Sequence, residues 1–245
     1  MNQFKKIKIK LYLFKQMLRS IFDYPEMKTY EEQNYDEYWK HRNLNLATKM
    51  NSFQKWRADA SLKYIENDST LLDLGSGDGS MLQYLSDKKP MGEAIAADIS
   101  DYALDLAKKR GIKTYKVNIS NPDELNILPP ADYIFMFEII EHVPNSESML
   151  NWAIRNSKKG VFFSVPNTGF ITHRLRLVLG RFPLQWRVYP SEHVRFWTVR
   201  DMRFWLSQLG LKKYELKLYE GIPFLNKIWP SLFGQGIWVY VPKAS

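Results

Sequence analysis

Leu71-Leu72-Asp73-Leu74-Gly75-Ser76-Gly77-Asp78-Gly79 is the stretch that decides the fold. A short, mostly apolar strand runs into three glycines spaced by one residue, and Ser80 to Lys88 then reads as a helix. Glycines at such a turn take backbone angles closed to other residues and let the chain approach a ligand closely. Working outward, Glu93 to Asp98 reads as a second strand and Tyr102 to Arg110 as a helix closed by Gly111. Ile112 to Val117 and Tyr133 to Phe137 follow as strands, Ser146 to Asn156 as a helix, and Val161 to Val165 as a fifth strand stopped by Pro166. Strand and helix alternate at the interval βα units require. This predicts an α/β fold, a doubly wound and mostly parallel sheet with helices on both faces and right-handed crossovers.

The rhythm breaks over residues 168–197, which are rich in Arg and aromatics. It resumes with a helix at 199–209 and strands at 213–219 and 236–241. On the other side, residues 27–68 are polar and aromatic with mostly helical spacing. Phe4, Ile7, Leu11, Phe14, Leu18 and Ile21 are spaced 3-4-3-4-3, one stripe of a helix whose other faces carry Lys and Arg. The division expected is therefore a basic amphipathic helix over 1–26 and one domain over 27–245, with 168–197 as an inserted lid.

The 245 residues suit one α/β domain with insertions, and 45% apolar content supplies a core. The chain has no cysteine, which excludes disulfides, thiolate metal ligands and a cysteine nucleophile. A formal charge of +9 suits anionic partners. No apolar run reaches the roughly 18–20 residues of a membrane-spanning helix, and lysines interrupt any apolar leader. The expected location is cytoplasmic, at the inner membrane surface. The partner expected is a small anionic substrate, and no DNA is expected; the N-terminal helix is read as packing on the domain or on a second copy in a homodimer, with an acidic membrane met through residues 1–22 as the alternative.

The glycines run G-x-G-x-G, one residue short of the dinucleotide pattern G-x-G-x-x-G. Asp98 ends the second strand 19 positions after Gly79, where a carboxylate can accept from both ribose hydroxyls of an adenosine. Asp73 and Asp78 flank the loop. Beside a pyrophosphate they would repel, whereas they suit a ligand carrying a sulfonium and an ammonium. S-adenosyl-L-methionine carries both.

Leu71–Gly79 resembles the first motif of class I S-adenosylmethionine-dependent methyltransferases, and Asp98 resembles their ribose-binding acid. The resemblance covers roughly residues 65–220. It implies a Rossmann-like, seven-stranded sheet with the last strand antiparallel. It also implies a cofactor pocket of Asp73, Gly75, Ser76, Gly77, Gly79, Asp98, Ile99, Asn118, Ile119 and Phe137, with Asn118 at the adenine. Arg57, among N-terminal helices that in relatives close over the methionine end, is the implied partner of the cofactor carboxylate. More narrowly, Val165-Pro166-Asn167, Arg174-Leu175-Arg176, Leu179-Gly180-Arg181, Glu192-His193 and Thr198-Val199-Arg200-Asp201 resemble the MetW-like branch. The label is shared with methyltransferases of surface-polysaccharide clusters, and Tyr35-Asp36-Glu37-Tyr38-Trp39 resembles the latter.

Methyl transfer is an in-line displacement that needs alignment and, for a hydroxyl acceptor, a place for a proton. Glu138 and His142 follow the fourth strand in Glu138-Ile139-Ile140-Glu141-His142, and a helix begun there would put 138, 141 and 142 on one face. His193 ends the insert. The catalytic candidates are His142, His193 and Glu138; a capping or packing role for each imidazole is the alternative. Glu138, Glu141, His142 and His193 also resemble the metal-supporting set of ubiquinone-type O-methyltransferases, but sulfonium chemistry does not demand a Lewis acid and no metal is expected. Arg174, Arg176 and Arg181, interleaved with aromatics, are expected to grip an anionic substrate. The function expected is O-methylation of a small phosphorylated or nucleotide-linked acceptor in surface-polysaccharide biosynthesis. The alternatives are a MetW-like cofactor-binding regulator of an acyltransferase, and an RNA methyltransferase.

Overall fold

A computed structural model describes residue 15 and residues 18–22, 34–45, 50–121, 123–183 and 193–243. Strands β1 Leu71–Leu74, β2 Ala94–Asp98, β3 Lys113–Lys116, β4 Ala131–Phe137, β5 Ser157–Pro166, β6 Glu215–Tyr219 and β7 Gly236–Pro242 form one sheet in the order β3-β2-β1-β4-β5-β7-β6. The first five pair in parallel; β7 runs antiparallel between β5 and β6. The strand order reverses between β1 and β4, so the crevice outside their carboxyl ends is the binding position of an open α/β sheet.

Buried parallel strands expose neither face, so their sequences read as apolar runs whose side chains alternate between two cores. In β4, Ile134 and Met136 join Leu72, Leu74, Val161 and Phe163 on one face, under helices α5 Ser146–Asn156 and α7 Val199–Gln208. Tyr133 and Phe135 point to the other face, onto Phe162 and Trp238, beneath α2 Ser52–Ser61, α3 Ser80–Lys88 and α4 Asp101–Lys109. Before α2 lies α1 Tyr35–Asn45, and after β5 comes α6 Ile171–Val178. Capping boxes start α2 (Asn51 with Gln54) and α7 (Thr198 with Asp201), where the side chains satisfy amides that the first turn leaves open.

β6 and β7 are antiparallel neighbours, joined through residues 220–235, which carry α8 Leu225–Ile228 and α9 Pro230–Phe233. The insert is not all irregular, since α6 buries Thr172, His173 and Arg176 and its base is closed by a bridge between Asn167 and Trp197. Of the expected lid, residues 184–192, Glu192 among them, lie outside the described residues. So does most of the 1–26 stripe, of which Lys15 and residues 18–22 are helical. No helix among the described residues is long and apolar enough to cross a membrane.

Phe162 is fully buried and stacks on Phe135 at 5.1 Å and on Tyr240 at 4.5 Å between ring centroids. Phe162→Ala should cost about 3–5 kcal/mol. Urea unfolding with an unchanged slope would check it; a loss under about 1 kcal/mol would mean the aromatic layer collapses around the gap.

Candidate functional site

The glycine loop leaves β1 with Gly75, Gly77 and Gly79 all at positive φ (68°, 54° and 70°), the left-handed region that favours glycine. Space forbids side chains as well: a Cβ on Gly75 would lie 2.0 Å from Ile139 Cδ1, and one on Gly77 2.1 Å from the Trp39 ring. The N–H of Gly75 donates to Ala97 O at 2.8 Å, and that of Gly77 to Asp98 Oδ2 at 2.8 Å. Asp98 Oδ1 accepts from Ser100 N–H at 3.0 Å. Ser100 caps α4 through Ala103 N–H, and its hydroxyl also donates to Asp36 at 2.6 Å. Asp36, quoted above only as part of a family resemblance, thus ties α1 to the turn after β2.

Asp73 and Asp98 are both buried. Burial pushes the Asp73 carboxyl well above the usual range, and the Asp98 charge adds to that, against the pull of Arg57. Burial raises Asp98 too, opposed by the Ser100 and Gly77 amides. Two buried carboxylates side by side fit a cationic ligand. Ser76 Oγ in the same loop is buried without a hydrogen-bond partner. These features fit S-adenosylmethionine, with Asp98 toward its ribose and Asp73 toward its positive groups. Asp78 does not contribute as the sequence suggested: Arg110 Nη2 pairs with it at 3.1 Å and neutralises it. Asn118 is half-buried, its Oδ1 accepting from Ser120 N–H at 3.0 Å, with Ile119 packed on the core; Ile99 is exposed at the end of β2.

Arg57 and Glu138 need correction. Glu138 sits at φ 57°, so the chain leaves β4 by a left-handed residue and not by a helix. Its Oε1 accepts from Ser164 Oγ at 2.7 Å and from Tyr219 OH at 3.1 Å, and pairs with Arg57 Nη1 at 3.1 Å. Arg57 is buried, donates to Tyr219 OH at 3.1 Å, and lies 5.4 Å from the Phe137 ring centroid. The pair joins α2, β4, β5 and β6. The structure thus shows Arg57 and Glu138 engaged with each other, which weighs against the carboxylate-binding role of Arg57 and the catalytic role of Glu138. Arg57 Nε is buried without a hydrogen-bond partner.

Beyond Glu138 the chain turns through a short 3-10 segment, Ile140–His142. His142 and His193 meet edge to face with centroids 4.6 Å apart. One ligand atom from each of Glu141, His142 and His193 lies within 4.8 Å of the others; Glu138 is not part of this cluster. Glu141 is 1% exposed. Burial, and then the charge of His142, pushes His193 down to about 3, so its imidazole is neutral at neutral pH. His193 is held there by its neighbours: Val194 and Arg195 N–H donate to Glu141 O, and Arg195 pairs with Glu147, which also accepts from Trp205 Nε1 at 2.6 Å. Neither Arg195 nor Glu147 carried a motif signal.

The substrate arginines resolve differently from expectation. Arg176 is 1% exposed; it donates to Ser20 O and Ile21 O at 2.5 and 3.2 Å and to Phe182 O at 2.8 Å. Arg181 donates to Phe22 O. Both grip the backbone of the described helical residues 18–22. Arg174 is exposed, with Nε on Gly169 O at 2.7 Å.

Residues 30–216 match the methyltransferase-domain family. The bifunctional methionine biosynthesis protein MetXA/MetW of Rhodopirellula baltica is 26% identical over 168 residues, 62% of this chain and 26% of that protein. The ubiquinone biosynthesis O-methyltransferase of Hydrogenovibrio crunogenus is 32% identical over 120 residues, 46% of this chain and 48% of that protein. The chain thus spans about a quarter and about half the length of these curated relatives. The crystal structure of a SAM-dependent methyltransferase from Archaeoglobus fulgidus has a TM-score of 0.60 at 16% identity over 85% of this chain and 100% of that one, a likeness of fold.

Because its folded pKa is raised, Asp73 favours folding when protonated; that contribution is fully present below its unfolded pKa and is lost as pH rises through the folded value. Asp73→Asn should therefore raise the ligand-free Tm at pH 7.5, by about 2–4 °C per kcal/mol relieved, with the gain disappearing in acid. The same variant should bind the demethylated cofactor product at least about tenfold more weakly, the loss of one charge-assisted contact. Thermal scans across pH and calorimetry would check both; a lower Tm with unchanged affinity would mean that Asp73 serves only the fold.

Proposed function

Since this chain belongs to the methyltransferase-domain family, in its class I S-adenosylmethionine-dependent branch, we propose that it methylates an oxygen of a small anionic acceptor, a phosphorylated or nucleotide-linked sugar of a surface-polysaccharide precursor. The observation that carries this reading is the meeting of His142 and His193 over the loop leaving β4. That loop touches the glycine loop directly, through Ile139 against Gly75. Bound S-adenosylmethionine supplies a methyl group already activated on a sulfonium. Asp98 and Asp73 fix its position, and the Glu141–His142–His193 cluster receives the acceptor oxygen. The charge of +9 and the exposed Arg174 support an anionic acceptor.

An imidazole with a pKa near 3 is too weak a base to hold a proton at neutral pH. Beside the expectations of a base role for His193 and of no metal, the cluster supports a metal-assisted reading. A buried carboxylate and two imidazoles, at least one of them neutral, fit a hard divalent cation. Such an ion would polarise the acceptor hydroxyl, easing transfer of its proton to water as the oxygen takes the methyl group and the carbon–sulfur bond breaks. The MetXA/MetW relative favours a second reading, a cofactor-binding partner of an acyltransferase. Binding of cofactor without turnover of any acceptor would mark that one.

Turnover, followed as demethylated cofactor released with pools of anionic sugar acceptors, should fall on chelation and return with Mg²⁺ or Mn²⁺. His193→Ala should lower it by at least about a hundredfold, the loss of several kcal/mol of transition-state stabilisation. Full turnover after chelation and in His193→Ala would place the acceptor elsewhere.

A further inference from the structure

The carboxyl edge of the sheet exposes apolar side chains that the site does not use. In the connection between β6 and β7, Phe224 and Ile228 are each 79% exposed and Trp229 56%. On α6, Val178 is 82% exposed, with Leu177 beside it at 54%. Phe22, in the helical turn that Arg176 and Arg181 hold against the α6 region, is 62% exposed. Leaving such side chains in water forfeits the burial that drives folding, and monomeric domains seldom group them without a use.

Topology brings these segments to one end. Because β7 is antiparallel to both β5 and β6, the latter two run the same way, so residues 168–183 and 220–235 leave the sheet at the edge where the glycine loop sits. Asn167 clasps the two segments together, its Nδ2 donating to Ser231 O at 3.1 Å and Gly234 O at 2.8 Å. Glu220 stands at the base of the second segment, and beyond it the charge has one sign. Acidic residues number 26 in 245, so stretches 171–183 and 222–234 together would carry two or three by chance; they carry none. They do carry Arg174, Arg181 and Lys227, and the helical turn adds Lys15 and Arg19. Among the described residues, no carboxylate pairs with Lys15, Arg19, Arg174 or Lys227.

We infer that this edge is a membrane-docking face. Phe224, Ile228 and Trp229, with Leu177 and Val178, enter the headgroup boundary of an anionic bilayer, and the neighbouring Lys and Arg side chains meet lipid phosphates. Apolar tips amid basic residues are the combination that binds such a surface, and each basic residue near it adds attraction that salt screens. Trp at the boundary keeps its ring in the acyl region and its N–H among headgroups. A second copy of the chain fits less well, because it would bring the same cations face to face across stretches 171–183 and 222–234, which hold no acid to pair them. The mouth of the site then opens toward the lipid surface.

The test is co-sedimentation of the full chain with vesicles, one set of phosphatidylcholine alone and one with phosphatidylglycerol added, at low and high salt. We expect binding to the phosphatidylglycerol vesicles, weakened by salt, and little to phosphatidylcholine. Ile228→Ser with Trp229→Ser should reduce vesicle affinity at least tenfold while calorimetric binding of the demethylated cofactor product is unchanged. Should that double variant fail to fold, Phe224→Ser and Lys227→Glu, each on an exposed side chain, carry the same expectation. No binding to phosphatidylglycerol vesicles, or equal binding by every folded variant, overturns the inference. So does a wild-type dimer that these substitutions dissociate, since it would assign the face to a second copy. Vesicle binding requires no acceptor and no turnover, so its outcome is separate from that of the proposed reaction.

Discussion

The N–H of Gly77 donates to the Asp98 carboxylate, and the rest of the crevice is arranged around that bond. It joins the turn after β1 to the end of β2. The other Asp98 oxygen takes the Ser100 amide, and the Ser100 hydroxyl extends the chain of contacts to Asp36 and so to α1. Trp39 of α1 then lies against Gly77, where any side chain would exclude it. A carboxylate held this way cannot be solvated freely, and burial raises it together with Asp73. The empty-handed protein therefore carries an electrostatic cost that a cation removes. Affinity for a sulfonium ligand and instability without it have the same origin.

The β4 loop is the second arm of the site, and it is built by neighbours that carry no chemistry. Glu138 takes a left-handed turn and is satisfied by Arg57, Ser164 and Tyr219. This releases the next residues from helical spacing and lets Glu141 and His142 face His193. The insert is closed at its base by the Asn167–Trp197 bridge, and Arg195 pairs with Glu147, so His193 is presented from a fixed stem.

Much of this was legible in the sequence, for a physical reason. Strands buried on both faces must be apolar throughout, so β1, β2, β4 and β5 stand out. α5 could be read from Ser146 to Asn156 because Asn145 caps it and a β-strand follows. The glycine loop was legible because its backbone angles leave no other residue available. What failed were choices between partners. An arginine amid aromatics reads the same whether it grips a substrate or a carbonyl; Arg176 binds Ile21 across 155 positions of sequence. Glu138 and Arg57 are likewise each plausible ligands alone, and only their meeting at 3.1 Å shows each engaged by the other. Asp36 lay in a stretch carrying a family resemblance, but its contact with Ser100 across 64 positions gave no signal of its own.

The position of β7 has a consequence for synthesis. The strand lies between β5 and β6, yet it follows both along the chain. While a ribosome extends the polypeptide, the outer edge of β5, with Val161, Phe163 and Val165, has no neighbour until residues 236–242 emerge. At about 5–20 residues per second, the 70 positions separating Pro166 from Gly236 take roughly 4 to 14 seconds. Over that interval the nascent chain presents a bare apolar strand edge that other chains could pair with. Docking of β7 must therefore follow translation of nearly the whole domain, and the nascent chain is a substrate for chaperones until it does.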